Sequence, residues 1–272
     1  MRRYFQSLGQ MTRDIATNLS RIFALAFFDY QLGSKDYFLG SAWKLLSPFI
    51  QIGAYWLVFG IGLRSGAPID GIPYVVWLTC GLTPWLWMNV SVVRGANSIY
   101  SKATMLTRAN IPTCLIPLGS VWSCSMENLW NVALMVIIYL ANGCVPTWTA
   151  LGVFYYIFCG LVFLPVCSLI TSALVMVARD FNKLIQAVMR LMFFITPVFW
   201  RPGDSIPLAL KIFNLCNPFA YIVRGFRNTL LYNTPFTAAG TENAIFWCLM
   251  VLLYLIAASF QSKMRKNLLD YL

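Results

Sequence analysis

The sequence predicts an all-α integral-membrane fold: six transmembrane helices, an N-terminal amphipathic interfacial helix, and short re-entrant helices between the fifth and sixth spans. Three observations lead there. Of the 272 residues, 59% are apolar and 11% charged, against about 25% charged residues in a soluble domain. The uncharged runs have lengths near the roughly 20 residues a helix needs to cross the hydrocarbon. The basic residues are also sorted by loop. With both termini in the cytoplasm, fifteen of the twenty Lys and Arg fall on the inner side and five on the outer, as the positive-inside rule requires.

Residues 1–44 form the first unit. Phe5, Leu8, Met11, Ile15, Leu19, Ile22, Phe23 and Phe27 recur at helical spacing, with Arg2, Arg3, Arg13, Asp14, Asn18 and Arg21 largely between them. That is the pattern of a basic amphipathic helix lying in the membrane interface. A helix that docks on a calmodulin-like partner has the same pattern. A polar hinge from Asp29 to Lys35, then a short helix reaching Lys44, lead into the second unit, residues 45–272, a single membrane domain.

Its spans are marked by where the charges stop. The first, 45–63, lies between Lys44 and Arg64, and the second, 72–93, ends at Arg94. Residues 109–178 contain one charge, Glu127, and are too many for one helix. They break at Asn142-Gly143-Cys144-Val145-Pro146, a turn signal, which leaves spans at 118–141 and 148–178. The fifth, 184–200, is short and carries Arg190; the sixth, 243–262, lies between Glu242 and Lys263.

The stretch from 201 to 242 is too apolar for a solvated loop and too broken for a crossing. It holds Arg201-Pro202-Gly203-Asp204-Ser205-Ile206-Pro207, then Asn217-Pro218-Phe219, then Arg224-Gly225-Phe226-Arg227. Broken backbone is tolerated at membrane depth only where protein or a water-filled cavity covers it. The stretch therefore reads as short helices dipping back from the outer surface. An external loop with an amphipathic helix lying on the lipid is the other reading.

Several function classes are disfavoured. The net charge of +11 is not gathered into an arginine-rich patch, so nucleic acid is not the expected partner. Eight Cys without a C-x-x-C pair, and no His, give no metal-ligand spacing. There is no G-x-x-x-x-G-K-[ST] or G-x-G-x-x-G, so no nucleotide site of the chain's own is expected. The outer acids, Asp70, Asp204 and Glu242, are scattered over different loops, which leaves a membrane enzyme of glycolipid metabolism without the paired carboxylates it would use. A single acid inside a span and no visible inverted repeat argue against a proton-coupled transporter.

Several segments resemble a known family. They are Gly81-Leu82-Thr83-Pro84-Trp85-Leu86-Trp87; Met105-Leu106-Thr107-Arg108-Ala109-Asn110-Ile111-Pro112 followed by Leu115-Ile116-Pro117; and Ala178-Arg179-Asp180 with Thr196-Pro197-Val198-Phe199-Trp200 beyond it. In that order they resemble the ABC-2 permease family, and within it the polysaccharide-export branch of wall teichoic acid, O-antigen and capsule exporters. Leu39-Gly40-Ser41-Ala42-Trp43 through Ser47-Pro48 is similar to that branch's approach to its first span. The hinge lacks the arginine-rich run many relatives carry.

The resemblance implies a half-transporter without catalytic activity of its own. Two copies of the permease would pair with two copies of a cytoplasmic ATPase, which binds ATP and magnesium. The cargo would be an undecaprenyl-pyrophosphate-linked polymer, with wall teichoic acid favoured by the positive charge. A drug or lipid exporter of the same family shares the topology.

On that reading, Lys102, Thr104 and Arg108 in the loop from Tyr100 to Pro112 are candidates for coupling to the ATPase, or else topology-setting charges on a solvated turn. Arg179, Asp180 and Lys183 are a second coupling candidate, or a local ion pair. Tyr55, Trp56, Tyr74, Trp77, Trp85 and Trp87 line a route for sugars or form the interfacial belt. Glu127, an ionisable group at depth, belongs to the path or to a structural partner such as Arg94. Arg201, Lys211, Arg224 and Arg227 receive phosphate outside or close the re-entrant helices.

Overall fold

The computed structural model describes residues 2–33, 40–62, 67–102, 111–202 and 207–266. Among them are ten α-helices, and the only strand-like pairing is one bridge between Ile69 and Ile72. The N-terminal amphipathic segment is two helices, α1 (Arg2–Thr17) and α2 (Leu19–Leu32). They part at Asn18, whose amide donates back to Asp14 O at 2.8 Å while Thr17 Oγ1 donates to Arg13 O at 2.7 Å. Side chains that take up backbone acceptors in this way compete with helix continuation. One strip of α2 is covered by protein: Ile22 and Ala26 are buried, and Phe23 meets Trp122 at 4.9 Å between ring centroids, while Leu19, Phe27 and Phe28 stay exposed.

The long helices follow. α3 (Trp43–Tyr55) continues as a widened π-helical segment, Trp56–Gly62. α4 is Tyr74–Ser101, α5 is Leu115–Ala141, and α6 is Gly152–Val177 after a short 3-10 turn at Trp148–Leu151. α10 (Gly240–Lys266) closes the chain. Five segments are long and apolar enough to cross a membrane: Trp43–Gly62, Tyr74–Ser101, Leu115–Ala141, Trp148–Val177 and Phe236–Gln261. These overlie five of the six expected spans.

The expected span 184–200 falls on α7 (Asp180–Ile195), which has sixteen residues, short of that length. It stops because Pro197 cannot donate to the helical ladder and biases Thr196 to extended backbone; Thr196 has ψ 136°. The helix of the second expected span runs on past its boundary charge. Arg94 does not end it, because its side chain turns sideways onto Glu127 of α5 and the helix continues to Ser101.

α4 is the axis of the bundle. It packs on α5 and α6 and, more lightly, on α7 and α9. The main core runs along it, with Trp85, Trp87 and Met88 set among Val121, Phe163, Phe193, Tyr221 and Phe226. Two short helices, α8 (Leu208–Cys216) and α9 (Pro218–Leu230), follow the break after α7. α9 begins on an Asn-Pro pair suited to it. Pro218 needs no N–H partner at a first helical position, and Asn217 Oδ1 accepts from Phe219 N at 3.0 Å as an N-cap. α9 buries Ala220, Tyr221, Ile222, Val223, Gly225 and Phe226 against α4 and α6.

Candidate functional site

The break after α7 leaves carbonyls without helical donors, and a buried polar group without a partner costs about 1–3 kcal/mol. Arg227 of α9 supplies the donors. Its Nη1 and Nη2 donate to the carbonyls of Pro197 and Val198, and its Nε donates to Trp77 O at 3.1 Å. The guanidinium lies on the Trp77 indole, 3.4 Å from the ring centroid. Gly81 makes room for it, since a Cβ there would stand 2.1 Å from Arg227 Nη2. Arg227 is 4% exposed. Of the two readings of Arg227, phosphate contact outside or closure of the short helices, the enclosed guanidinium with its backbone acceptors has the geometry of the second.

The other cations of that region hold segments together. Arg201 pairs with Asp70, and Asp70 also accepts from Tyr232 Oη at 2.9 Å. Tyr232 in turn accepts from Trp77 Nε1 at 3.1 Å. Burial, chiefly, pushes the Tyr232 phenol above its ordinary value; the bond to Asp70 adds to this and the bond from Trp77 opposes it. Arg224 Nη2 reaches Asn214 O at 3.1 Å and Glu242 at 3.2 Å, joining α8, α9 and α10. Lys211 is exposed on α8.

Of the six aromatics read as a sugar route or as interfacial belt, Tyr74, Trp77, Trp85 and Trp87 are core side chains in this conformation. Trp87 Nε1 donates to Ser125 Oγ at 3.0 Å, and Tyr74 Oη to Phe199 O at 3.1 Å. Tyr55 is partly buried against Phe59 and Phe193. Trp56 is the exposed member, at 39%.

At the opposite end of the bundle an open cleft of about 520 Å³ lies between the end of α2, the start of α3, α4 and α5. Glu127 faces it and holds Arg94, with Nη1 at 2.8 Å from Oε1 and 2.7 Å from Oε2. Of the two readings of Glu127, this supplies the structural partner; the pair also stands at the edge of a polar opening. Lys44 enters the same cleft, as do Ser47, Gln51 and Asn131. Pro48 takes away the N–H that would bond the Lys44 carbonyl. Lys44 was legible in the sequence only as a boundary charge.

Two adjacent residues of α2 organise the rim. Asp29 pairs with Lys102 at the end of α4. Tyr30 O accepts from Lys44 Nζ at 3.1 Å, its ring lies 3.3 Å below that ammonium, and its Oη accepts from Trp130 Nε1 of α5 at 3.2 Å. The sequence places Asp29 and Tyr30 in a polar hinge and singles out neither, whereas α2 runs through both to Leu32.

The two coupling candidates meet. Arg179, just before α7, lies over the Tyr100 ring of α4 at 4.6 Å from its centroid. Asp180 occupies the first turn of α7, where a carboxylate suits the helix dipole. Neither Arg179 nor Lys183 forms an ion pair with it among the described residues. Lys102 is bound to Asp29; Thr104 and Arg108 lie outside the described residues.

Known proteins match most of this chain. The profile of the ABC-2 type transporter family aligns with residues 20–231. An O-antigen export system permease protein RfbA from Myxococcus xanthus is 26% identical over 233 residues, covering 83% of this chain and 85% of the relative. Two proteins of the same name from Klebsiella pneumoniae are 25% and 24% identical, covering 76% and 75% of this chain and 78% and 77% of theirs. With the family profile running from within α2 to the end of α9, the chain belongs to the ABC-2 type transporter family, as a multi-pass permease subunit of an exporter.

Proposed function

We propose that this chain is the permease of an ATP-driven exporter of lipid-linked polysaccharide. The observation that carries the reading is the match over about three quarters or more of the chain to permeases named for O-antigen export. Two copies pair with two copies of a cytoplasmic ATPase, which holds ATP and magnesium, and the complex moves an undecaprenyl-pyrophosphate-linked polymer from the inner to the outer leaflet of a bacterial plasma membrane. Both termini are cytoplasmic, which puts the Lys44–Arg94 cleft at the inner leaflet. α7 serves as the short fifth of six spans, and α8 and α9 are re-entrant. The burial of α9 against α4 and α6 supports this, because a helix lying on lipid would keep one broad face uncovered.

The names of the relatives favour an O-antigen type of polymer. The +11 charge favours an anionic polymer such as wall teichoic acid. The deciding experiment reconstitutes the chain with its ATPase and measures hydrolysis with lipid-linked O-polysaccharide, with lipid-linked teichoic acid and with neither. Copurification with polymer-stimulated hydrolysis supports the export reading, and the polymer giving the larger stimulation names the cargo. Absence of a copurifying ATPase, with the chain active alone, overturns it in favour of a membrane enzyme.

A further inference from the structure

The cleft of about 520 Å³ is lined by two cations and one acid, and the three do not neutralise one another. Glu127 sets both oxygens on a single nitrogen of Arg94, Nη1. A carboxylate that satisfies a guanidinium takes two parallel N–H groups; here the Nε and Nη2 edge has no partner among the described residues. The Arg94 side chain as a whole is 53% exposed. Lys44 has a carbonyl and a ring as partners, both neutral. Trp43, Pro48, Leu86 and Val90 give the wall an apolar side beside the polar Ser47, Gln51 and Asn131, and Phe49 and Ile50 are exposed on α3 just beyond it. A free fork, an ammonium and an apolar flank opening sideways suit a phosphate carried on a hydrocarbon chain better than a free ion.

We propose that this cleft binds the phosphate headgroup of a lipid through the open edge of Arg94 and the ammonium of Lys44, and that Glu127 keeps that grip reversible. The carboxylate orients Arg94 while its own charge opposes the incoming phosphate, so the headgroup is held weakly enough to leave. The proposal rests on the export reading only for the identity of the lipid; the chemistry of the cleft stands apart from it.

The test uses the full permease–ATPase complex in detergent and native mass spectrometry, with undecaprenyl phosphate as the probe and inorganic pyrophosphate as competitor. Arg94→Gln and Lys44→Gln each lower retention of the lipid about tenfold, the worth of one charge-assisted hydrogen bond. Glu127→Gln raises retention several-fold. Because removing Glu127 also frees Arg94 to reorient, Lys44→Gln, which leaves the ion pair intact, provides an independent reading. Retention unmoved by Arg94→Gln and Lys44→Gln overturns the site, and retention lowered by Glu127→Gln overturns its role in release. Inorganic pyrophosphate competing as strongly as the lipid overturns the lipid source. Polymer export by cells separates the two readings. If it persists without this chain while the variants shift retention as stated, the export reading falls and the site stands; if it requires the chain while retention is unmoved, the reverse holds.

Discussion

The guanidinium of Arg227 lies 3.4 Å above the indole of Trp77, and with its three carbonyl acceptors it fastens the break after α7 to the axis helix α4. An interior cation stacked on an aromatic face and surrounded by backbone acceptors is the type of contact whose loss leaves several groups unpaired at once.

Arg227→Ala therefore strands the carbonyls of Pro197 and Val198 and opens a void beside Trp77. We expect a loss of about 3 kcal/mol or more, read as a lower melting temperature in detergent. Arg227→Lys recovers part of it. A variant that melts with the wild type would refute the staple.

Gly81→Ala acts on the same contact from the other side. The new Cβ would stand 2.1 Å from Arg227 Nη2, so the guanidinium must shift, at a cost of about 1–3 kcal/mol. In a double-mutant cycle with Arg227→Ala the two losses are expected to be clearly less than additive. Additive losses would mean that the two residues do not meet.

Asn217→Ala removes the cap of α9 and its bond to Thr196 Oγ1 at 3.2 Å. A loss of about 1 kcal/mol is expected, with faster hydrogen exchange confined to the first turn of α9 and to Thr196. Exchange that rises uniformly over the bundle would point to global loosening instead.

Tyr100→Ala removes the ring beneath Arg179, and with it about 0.5–1 kcal/mol of cation–π attraction. Charge reversal at Asp180 acts beside that contact, and charge reversal at Arg108 acts on the loop expected from the sequence to couple to the ATPase. All three should reduce stimulation of the ATPase with membrane levels unchanged. Undiminished transport in both charge reversals would remove this region from coupling.

Tyr232 gives a pH dependence. Its phenol is held above its ordinary value in the folded chain, so the stability it contributes is complete below the unfolded value of about 10. That contribution is lost as pH rises through the folded value. Tyr232→Phe should melt lower than the wild type at neutral pH, and the gap should narrow in alkali. A gap that widens would reverse the assignment.

Apolar run length and punctuation made most of the fold legible. The turn at Asn142 to Pro146 separates α5 from α6 where expected, and the Glu127–Arg94 pair follows from a lone acid seeking the nearest cation. Reading helix ends from uncharged runs missed them where a charge turns sideways, as at Arg94, or where a proline ends a helix inside an apolar run, as at Pro197. The site was less legible. Arg227 looked like a surface cation because its acceptors are backbone carbonyls, which leave no mark in side-chain chemistry. Asp29 and Tyr30 became visible only when α2, α3, α4 and α5 were brought to one rim.

The sixteen residues of α7 carry a further consequence. Its uncovered side chains, Leu184, Val188, Leu191 and Phe194, lie on a helix about 24 Å long at 1.5 Å per residue, against a hydrocarbon layer of about 30 Å. On the proposed six-span topology, lipid beside this helix must thin by several ångströms, while lipid beside the much longer α5 need not. That topology places a hydrophobic mismatch at α7, and the acyl-chain length of the surrounding bilayer becomes a mechanical input to the break that follows it.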